Sequence, residues 1–481
     1  MAKSNSFIMK SNVIGRELEI KRLQDLYKSN KAEFIAVFGR RRVGKTFLIR
    51  ETFKNNFFFD LAGLAESNTK EQLMNFNISL NKVGVGEFPK AKSWLFAFEQ
   101  LITVISKSKA KRKIIFIDEI PWLDTPCSGF LTALEHFWNG WACARKDVFL
   151  IVCGSATSWI INKLINNHGG LHNRLTASIF LEPFTLTECE KYFNSQKIKF
   201  TQYQIAECYM VMGGIPFYLS KIEKELSLSQ NIDNMFFAKT AELKGEFQNL
   251  YKSLFKDSED YIRIVAALSK KSKGLTRKEI SKATKISTGG GLTTMLQNLE
   301  NSCFIRSYTA FGKSKRDTLF QLIDSFTLFH FKYLANNNYK DTHFWTNSEN
   351  TPQRNTWAGF AFEILALQHI EEIKKALSIA GIQSAVATWR SNEDTKPAAQ
   401  IDLIINRSDN IIDLCEIKFS KSKFTIDKEY DEKLREKLVS FMTENKTGKA
   451  IHLLMLTTYG VMKNKYYGTI QKEITLSDLF K

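Results

Sequence analysis

The sequence predicts an α/β protein: a parallel sheet near the amino terminus, a helical stretch, a winged helix-turn-helix and a second α/β region. Three observations carry this. Short apolar runs alternate with amphipathic segments from about residue 13 to 225, the pattern of successive strand–helix units. The turn Gly39-Arg40-Arg41-Arg42-Val43-Gly44-Lys45-Thr46 stands between the apolar run Phe34–Phe38 and a segment whose apolar face continues through Phe47, Leu48, Ile49 and Phe53. Beyond about residue 256 the pattern changes to short helices closed by a hairpin, and from about 357 to a long helix followed by strands.

The bulk properties bound the answer. A chain of 481 residues exceeds one ordinary core and predicts two to four domains. The expected divisions are a core at 13–186, a helical lid and linker at 187–255, a winged helix at 256–335, a linker at 336–356 and a last domain at 357–481. Hydrophobic content of 44% and charged content of 25% are those of a globular protein. Lys and Arg number 68 against 50 Asp and Glu, a net +18 that favours a polyanionic partner, nucleic acid before membrane. A generally basic surface would give the same balance. The seven cysteines form no CxxC pair or zinc-type cluster and read as reduced thiols, Cys153 and Cys415 within apolar runs. The first residues, Met-Ala-Lys-Ser-Asn-Ser, carry no signal-peptide apolar region, and no stretch nears the roughly 20 apolar residues that span a bilayer. A cytoplasmic protein without a membrane partner is expected.

Strands are expected at Phe34–Phe38, Phe57–Asp60, Lys113–Asp118, Val148–Cys153 and Ser178–Leu181. The turn after the first of them has the GxxxxGK(S/T) spacing of a P-loop, meaningful because a strand precedes it and a helix follows. Gly39 and Gly44 let the backbone aim several N–H groups at one anion. Lys45 would neutralise β- and γ-phosphates, and the Thr46 hydroxyl would hold Mg²⁺. The run Ile114–Ile117 ends in Asp118-Glu119; beside a P-loop strand, Asp118 would sit near the metal and Glu119 would polarise the attacking water.

Three further positions admit two readings each. Ser155, after the run Phe149–Cys153, can face the γ-phosphate or cap the following helix. Arg174, after the Gly169-Gly170 turn, can reach a phosphate in its own or a neighbouring subunit's site, or be an ordinary surface arginine. Pro216, in Gly213-Gly214-Ile215-Pro216, can lie against an adenine or punctuate a loop.

As a set, Gly15–Glu19, Gly39–Thr46, Phe116–Pro121, Gly154-Ser155 and Gly213–Pro216 resemble the archaeal-type ATPases, an AAA+/STAND-related class, over about 15–225. The resemblance implies an AAA-like core with a helical lid, ATP with Mg²⁺ and slow, switch-like hydrolysis. It places Arg16 and Glu17 near the adenine edge. No second arginine-finger motif is evident, so a homo-oligomer and a separate protein partner both stay open.

Tyr261–Leu268 reads as a helix, and Thr276 as the N-cap of a second that ends near Thr284. A third helix spans Gly291–Leu299 with a buried stripe of Leu292, Met295, Leu296 and Leu299. Phe304–Arg306 and Leu319–Leu322 then flank a basic wing, Gly312–Arg316. This is the layout of a winged helix-turn-helix. Arg277, Lys278, Lys313, Lys315 and Arg316 would contact phosphates, DNA favoured, or the module would dock against the ATPase. The Asn-rich stretches Ala335–Tyr339 and Asn347–Asn350 read as a hinge.

The last region begins with a helix at Trp357–Leu365 carrying one acid, Glu363. It continues with strands at Gln400–Ile405 and Ile411–Lys418, a charged helix at Lys428–Lys437 and a final strand. Residues two apart share a strand face, so Glu416 and Lys418 point together, with Asp402 on the neighbouring strand. Asp402 and Glu416 would ligate Mg²⁺, Lys418 would orient a water or stabilise developing charge, and Glu363 would complete the outer coordination. Lys433 and Lys437 would touch a phosphate backbone or, the preferred reading, simply be solvated. Glu363, Asp402 and Glu416-x-Lys418 resemble the PD-(D/E)xK nuclease superfamily over about 355–481, with Ile401-Asp402 where that family has Pro-Asp. The resemblance implies an α/β restriction-endonuclease-like domain. The expected function is an ATPase whose nucleotide state controls a DNA-handling, Mg²⁺-dependent nuclease-like domain. The alternative is a nucleotide-dependent switch, scaffold or transcription regulator whose last domain cuts nothing.

Overall fold

A computed structural model describes residues 13–84, 88–166, 169–337, 341–391 and 399–481. The chain forms two compact units, 1–183 and 184–481. Asn338 and Tyr339 of the expected hinge lie outside the described residues. Among those described, no helix is long and apolar enough to cross a membrane.

The first unit is built on five parallel strands: β1 Glu33–Phe38, β2 Phe59–Ala62, β3 Lys113–Asp118, β4 Val148–Gly154 and β5 Ala177–Phe180. Their order is β2-β3-β4-β1-β5. In β1, β3 and β4 every residue is buried, as a parallel sheet covered on both faces requires. The edge strands β2 and β5 instead alternate. Phe34, Ala36, Phe59, Ile115, Ile117, Leu150 and Val152 share one core with Phe98, Leu101, Leu134 and Phe137 from the covering helices. β2 starts two residues later than expected. Lys54 and Asn55 take left-handed conformations after the helix Lys45–Phe53, so the turn itself consumes residues that look strand-forming.

The second unit opens with helices capped by Thr185 with Glu188 and Thr201 with Gln204, both capping boxes. A three-stranded sheet follows: β6 Leu275–Thr276, β7 Ile305–Tyr308 and β8 Leu319–Leu322, ordered β6-β8-β7. The helices Ser258–Ser269, Arg277–Thr284 and Gly290–Asn301 pack on it, the second capped by Thr276 and Glu279. Leu292, Leu296 and Leu299 are buried as their spacing predicts, while Met295 is half-buried. The stretch expected as a linker contains the helix Phe344–Asn347, with Trp345 fully buried among Phe329, Tyr333 and Trp357.

The last part is a helix, Pro352–Gln368, followed by a mixed sheet. Its strands are β9 Ser384–Arg390, β10 Gln400–Arg407, β11 Ile411–Lys418, β12 Ala450–Thr457 and β13 Lys472–Thr475, ordered β13-β12-β11-β10-β9. Strands β9, β10 and β11 pair antiparallel, whereas β11, β12 and β13 run parallel. The sequence pattern missed β9 and β13. Both are edge strands: β9 is half-exposed and rich in small residues, and β13 has four residues. Neither carries a strong apolar alternation. The helix Lys428–Asn445 crosses between β11 and β12 and buries Leu434 and Phe441.

Candidate functional site

In a parallel sheet, ligands bind beyond the carboxyl ends of the strands, where the chain departs to opposite sides. β1 is such a strand, with β4 on one flank and β5 on the other. Its exit turns through Gly39 at φ +146°, where a Cβ would lie 2.3 Å from the Leu181 carbonyl oxygen. A residue with a side chain cannot pass there. Arg42 and Gly44 are left-handed at φ +72° and +91°, and Gly44 caps the helix Lys45–Phe53. The loop thereby curls over a helix start whose first amides have no intrahelical acceptor, an anion cradle.

The functional side chains of this end converge. Lys45 is buried and its Nζ donates to the carbonyl oxygens of Gly39 and Arg40, both at 2.9 Å, and to Ser155 Oγ at 3.1 Å. The Thr46 hydroxyl donates to Asp118 Oδ2 at 2.8 Å. Glu119 takes a left-handed conformation, φ +45°, directly after β3, and accepts the Ser155 amide at 3.0 Å and the Ser155 hydroxyl at 2.7 Å. The ends of β1, β3 and β4 are thus tied by side chains. Burial pushes the Lys45 ammonium below its ordinary pKa, against the pull of Asp118 and Glu119. The hydroxyl–carboxylate pair of Thr46 and Asp118 offers the hard oxygen donors that Mg²⁺ takes.

The other residues expected to bind the nucleotide differ in exposure. Arg40 and Val43 are buried; Arg41 and Arg42 are half-buried. Arg16 is buried, donates to the Glu182 carbonyl oxygen at 2.5 Å and pairs with Glu19 at 3.5 Å, so it fastens the segment before the first helix to the exit of β5. Glu17 and Arg174 are exposed. Pro216, half-buried, opens a short helix in the second unit.

The second unit gathers a different cluster. Asp402 on β10 lies one residue beyond the Leu403–Cys415 pair, beside Glu416 on β11, and its Oδ2 accepts the Ile417 amide at 3.2 Å. Glu416 is 1% exposed, and its Oε1 has no hydrogen-bond partner among the described residues. Glu363 joins from the helix Pro352–Gln368. Three lysines meet these acids. Lys273 Nζ is 3.1 Å from Glu363 Oε2 and 3.4 Å from Asp402 Oδ1. Lys437 Nζ is 2.7 Å from Glu416 Oε2, and Lys418 Nζ is 4.0 Å from the same oxygen. Burial and the Asp402 charge hold the Glu363 and Glu416 carboxyls above their ordinary pKa, against the lysines. The Tyr430 hydroxyl is pushed up by burial and by Glu416 and Asp402.

Oxygen-only donors, one of them a buried carboxylate oxygen lacking a partner, suit a hard divalent cation. Among the described residues, however, no group of three or more His, Cys, Asp or Glu is arranged to hold one.

One reading changes here. Lys437 is not a solvated surface charge, because its helix packs across β11 and aims it at Glu416; Lys433 is exposed and pairs with Glu429 at 2.5 Å. Beside the basic run the chain packs on β9: the Phe311 amide donates to the Thr388 carbonyl oxygen at 2.9 Å and its ring meets Phe441 at 5.2 Å. The apolar Phe311 beside the basic run is the residue that anchors it. Arg277 donates to the carbonyl oxygens of Thr288 and Gly289, bracing the turn before the third helix. Lys278, Lys313 and Arg316 are exposed, and the Lys315 side chain lies outside the described part. Lys273 was invisible in the sequence, since one lysine in the Lys270-Lys271-Ser272-Lys273-Gly274 turn carries no sign of a partner more than 100 residues away.

Comparison with known proteins agrees with the first site. Residues 14–222 match the family described as an ATPase domain predominantly from Archaea, so this part of the chain is an archaeal-type P-loop ATPase domain. An uncharacterized protein of Methanocaldococcus jannaschii is 25% identical over 414 residues, 85% of this chain and 88% of its own length. Among solved structures, a Walker-type ATPase of Pyrococcus abyssi matches at 16% identity, covering 67% of this chain and 96% of its own, with a TM-score of 0.49. The ORC2 protein of Aeropyrum pernix, in its ADPNP–ADP complexes, matches at 11% identity over 75% and 97%, with a TM-score of 0.43.

Proposed function

We propose that this protein is an ATP-hydrolysing switch whose nucleotide state controls a DNA-handling, Mg²⁺-dependent nuclease-like domain at its carboxyl end. One observation carries the ATPase half: the hydrogen-bonded network of Lys45, Thr46, Asp118, Glu119 and Ser155 at the mouth of an anion-binding helix. On ATP binding, Lys45 exchanges the Gly39 and Arg40 carbonyl oxygens for β- and γ-phosphate oxygens. Glu119 accepts a proton from the water that attacks the γ-phosphorus as the bond to the β-bridging oxygen breaks. Ser155, bonded to both Lys45 and Glu119, positions that carboxylate. Mg²⁺, held by Thr46 and Asp118, would supply charge against the phosphates.

The nuclease half rests on Asp402 and Glu416 as ligands for Mg²⁺, Glu363 in its outer coordination and Lys418 turned to the scissile phosphate. The net charge of +18 favours the polyanionic substrate. A second reading is a switch or scaffold whose last domain binds without cutting. The pairing of Glu363 and Asp402 with Lys273, and of Glu416 with Lys437, favours it, because each acid already has a cation.

The test is incubation of the full chain with linear and supercoiled DNA and with RNA, in Mg²⁺, with and without ATP. Nucleotide-dependent cleavage that Lys45→Ala and Lys418→Ala both abolish is expected. Substrates left intact by the wild type, or cut equally by Lys418→Ala, would leave the scaffold reading.

A further inference from the structure

We propose that Lys273 is a built-in plug of the carboxylate site: its ammonium occupies the oxygens a divalent cation needs, so the winged helix gates metal entry. This deepens the nuclease-like reading above and rests on it.

The lysine is held in place from both ends. Its backbone belongs to the winged helix, where the Tyr308 hydroxyl donates to the Lys273 carbonyl oxygen at 2.6 Å and the Gln321 side chain donates to that of Ser272 at 2.6 Å. The next residue, Gly274, is left-handed at φ +83°, and a Cβ there would meet the Phe320 carbonyl oxygen at 2.3 Å. The turn is therefore fixed to β7 and β8 and moves only as the module moves. Its side chain leaves that module and ends between Glu363 and Asp402, residues of the last domain.

An ammonium and a divalent cation cannot share Glu363 Oε2 and Asp402 Oδ1. With Lys273 seated, the three acids face three lysines and their charges cancel. With it withdrawn, Glu363 and Asp402 lose the one ammonium they share, and the cluster is left with a net negative charge and two unpaired carboxylates that a dication would satisfy. A cleft of about 360 Å³ separates the two modules at this point, lined by Lys271, Lys273 and Tyr308 on one side and by Thr388, Arg390 and Gln400 on the other. Lys271 and Arg390 in its lining, alongside the acidic Glu279, are the groups that a phosphodiester strand entering the opened cleft would meet.

The probe is Mn²⁺ added to the nucleotide-free full chain, with free ion read by electron paramagnetic resonance. Lys273→Met is expected to bind Mn²⁺ at least tenfold more tightly than the wild type, with the gain erased by adding Asp402→Asn. Equal or weaker binding by Lys273→Met, still sensitive to Asp402→Asn, overturns the plug and leaves the metal site standing. Loss of any Asp402-dependent binding in every variant removes the metal reading itself. A second readout uses the unaltered protein. Saturating Mn²⁺ should increase acylation of the Lys273 amine several-fold by mass spectrometry, and unchanged labelling with Mn²⁺ bound overturns the plug.

Discussion

The Thr46 hydroxyl donates to Asp118 Oδ2 across 2.8 Å, joining the start of the P-loop helix to the end of β3, 72 residues later in the chain. Under the function proposed above, both groups would take up a magnesium nucleotide. The ends of β1, β3 and β4 are already tied by side chains, so nucleotide binding would exchange partners there without rebuilding the sheet.

Lys45→Ala removes the ammonium bonded to the Gly39 and Arg40 carbonyl oxygens and to Ser155. ATP affinity should fall at least a hundredfold by calorimetry, about 3 kcal/mol. Thermal stability should change little, because the removed charge was buried at a cost.

Glu119→Gln keeps an acceptor for Ser155 but cannot take a proton. ATP binding should remain within a few-fold of the wild type, while single-turnover hydrolysis falls about 10²–10⁴-fold. Ser155→Ala should also slow hydrolysis, by a smaller factor, because Glu119 loses the bond that aims it.

Gly39→Ala places a methyl group 2.3 Å from the Leu181 carbonyl oxygen, at a φ of +146°. The variant should lose about 1–3 kcal/mol by denaturant melts. Gly448→Ala, where an added Cβ meets nothing within 4 Å, serves as the neutral control.

His330 stacks on Phe247 with ring centroids 3.8 Å apart, and burial pushes its pKa down to about 4. Between pH 6.5 and about 4 the unfolded chain binds a proton that the folded chain refuses. Stability should therefore fall as pH drops through that window, by about 3 kcal/mol. His330→Phe should flatten this part of the curve in urea melts at successive pH values.

The nucleotide end was legible because its chemistry is local. Gly39–Thr46 needs its glycines within one turn, and an apolar run ending in Asp118-Glu119 announces a strand whose last residues leave the sheet. Thr276, read as an N-cap, announced its helix start in the same way. Period two on β11 likewise put Glu416 and Lys418 on one face before any fold was known.

Partners across the fold were decided by tertiary structure. A strand order of β2-β3-β4-β1-β5 brings Ser155 between Lys45 and Glu119, and no spacing rule states that order. The edge strands β9 and β13 escaped notice because half-exposed strands need little apolar patterning. Lys273 reached Glu363 and Asp402, and Lys437 reached Glu416, through packing of whole modules. Periodicity and motifs report which groups a residue can bond; only the folded chain selects which of them it meets, since long side chains pair by distance in space and carry no imprint of that distance in sequence.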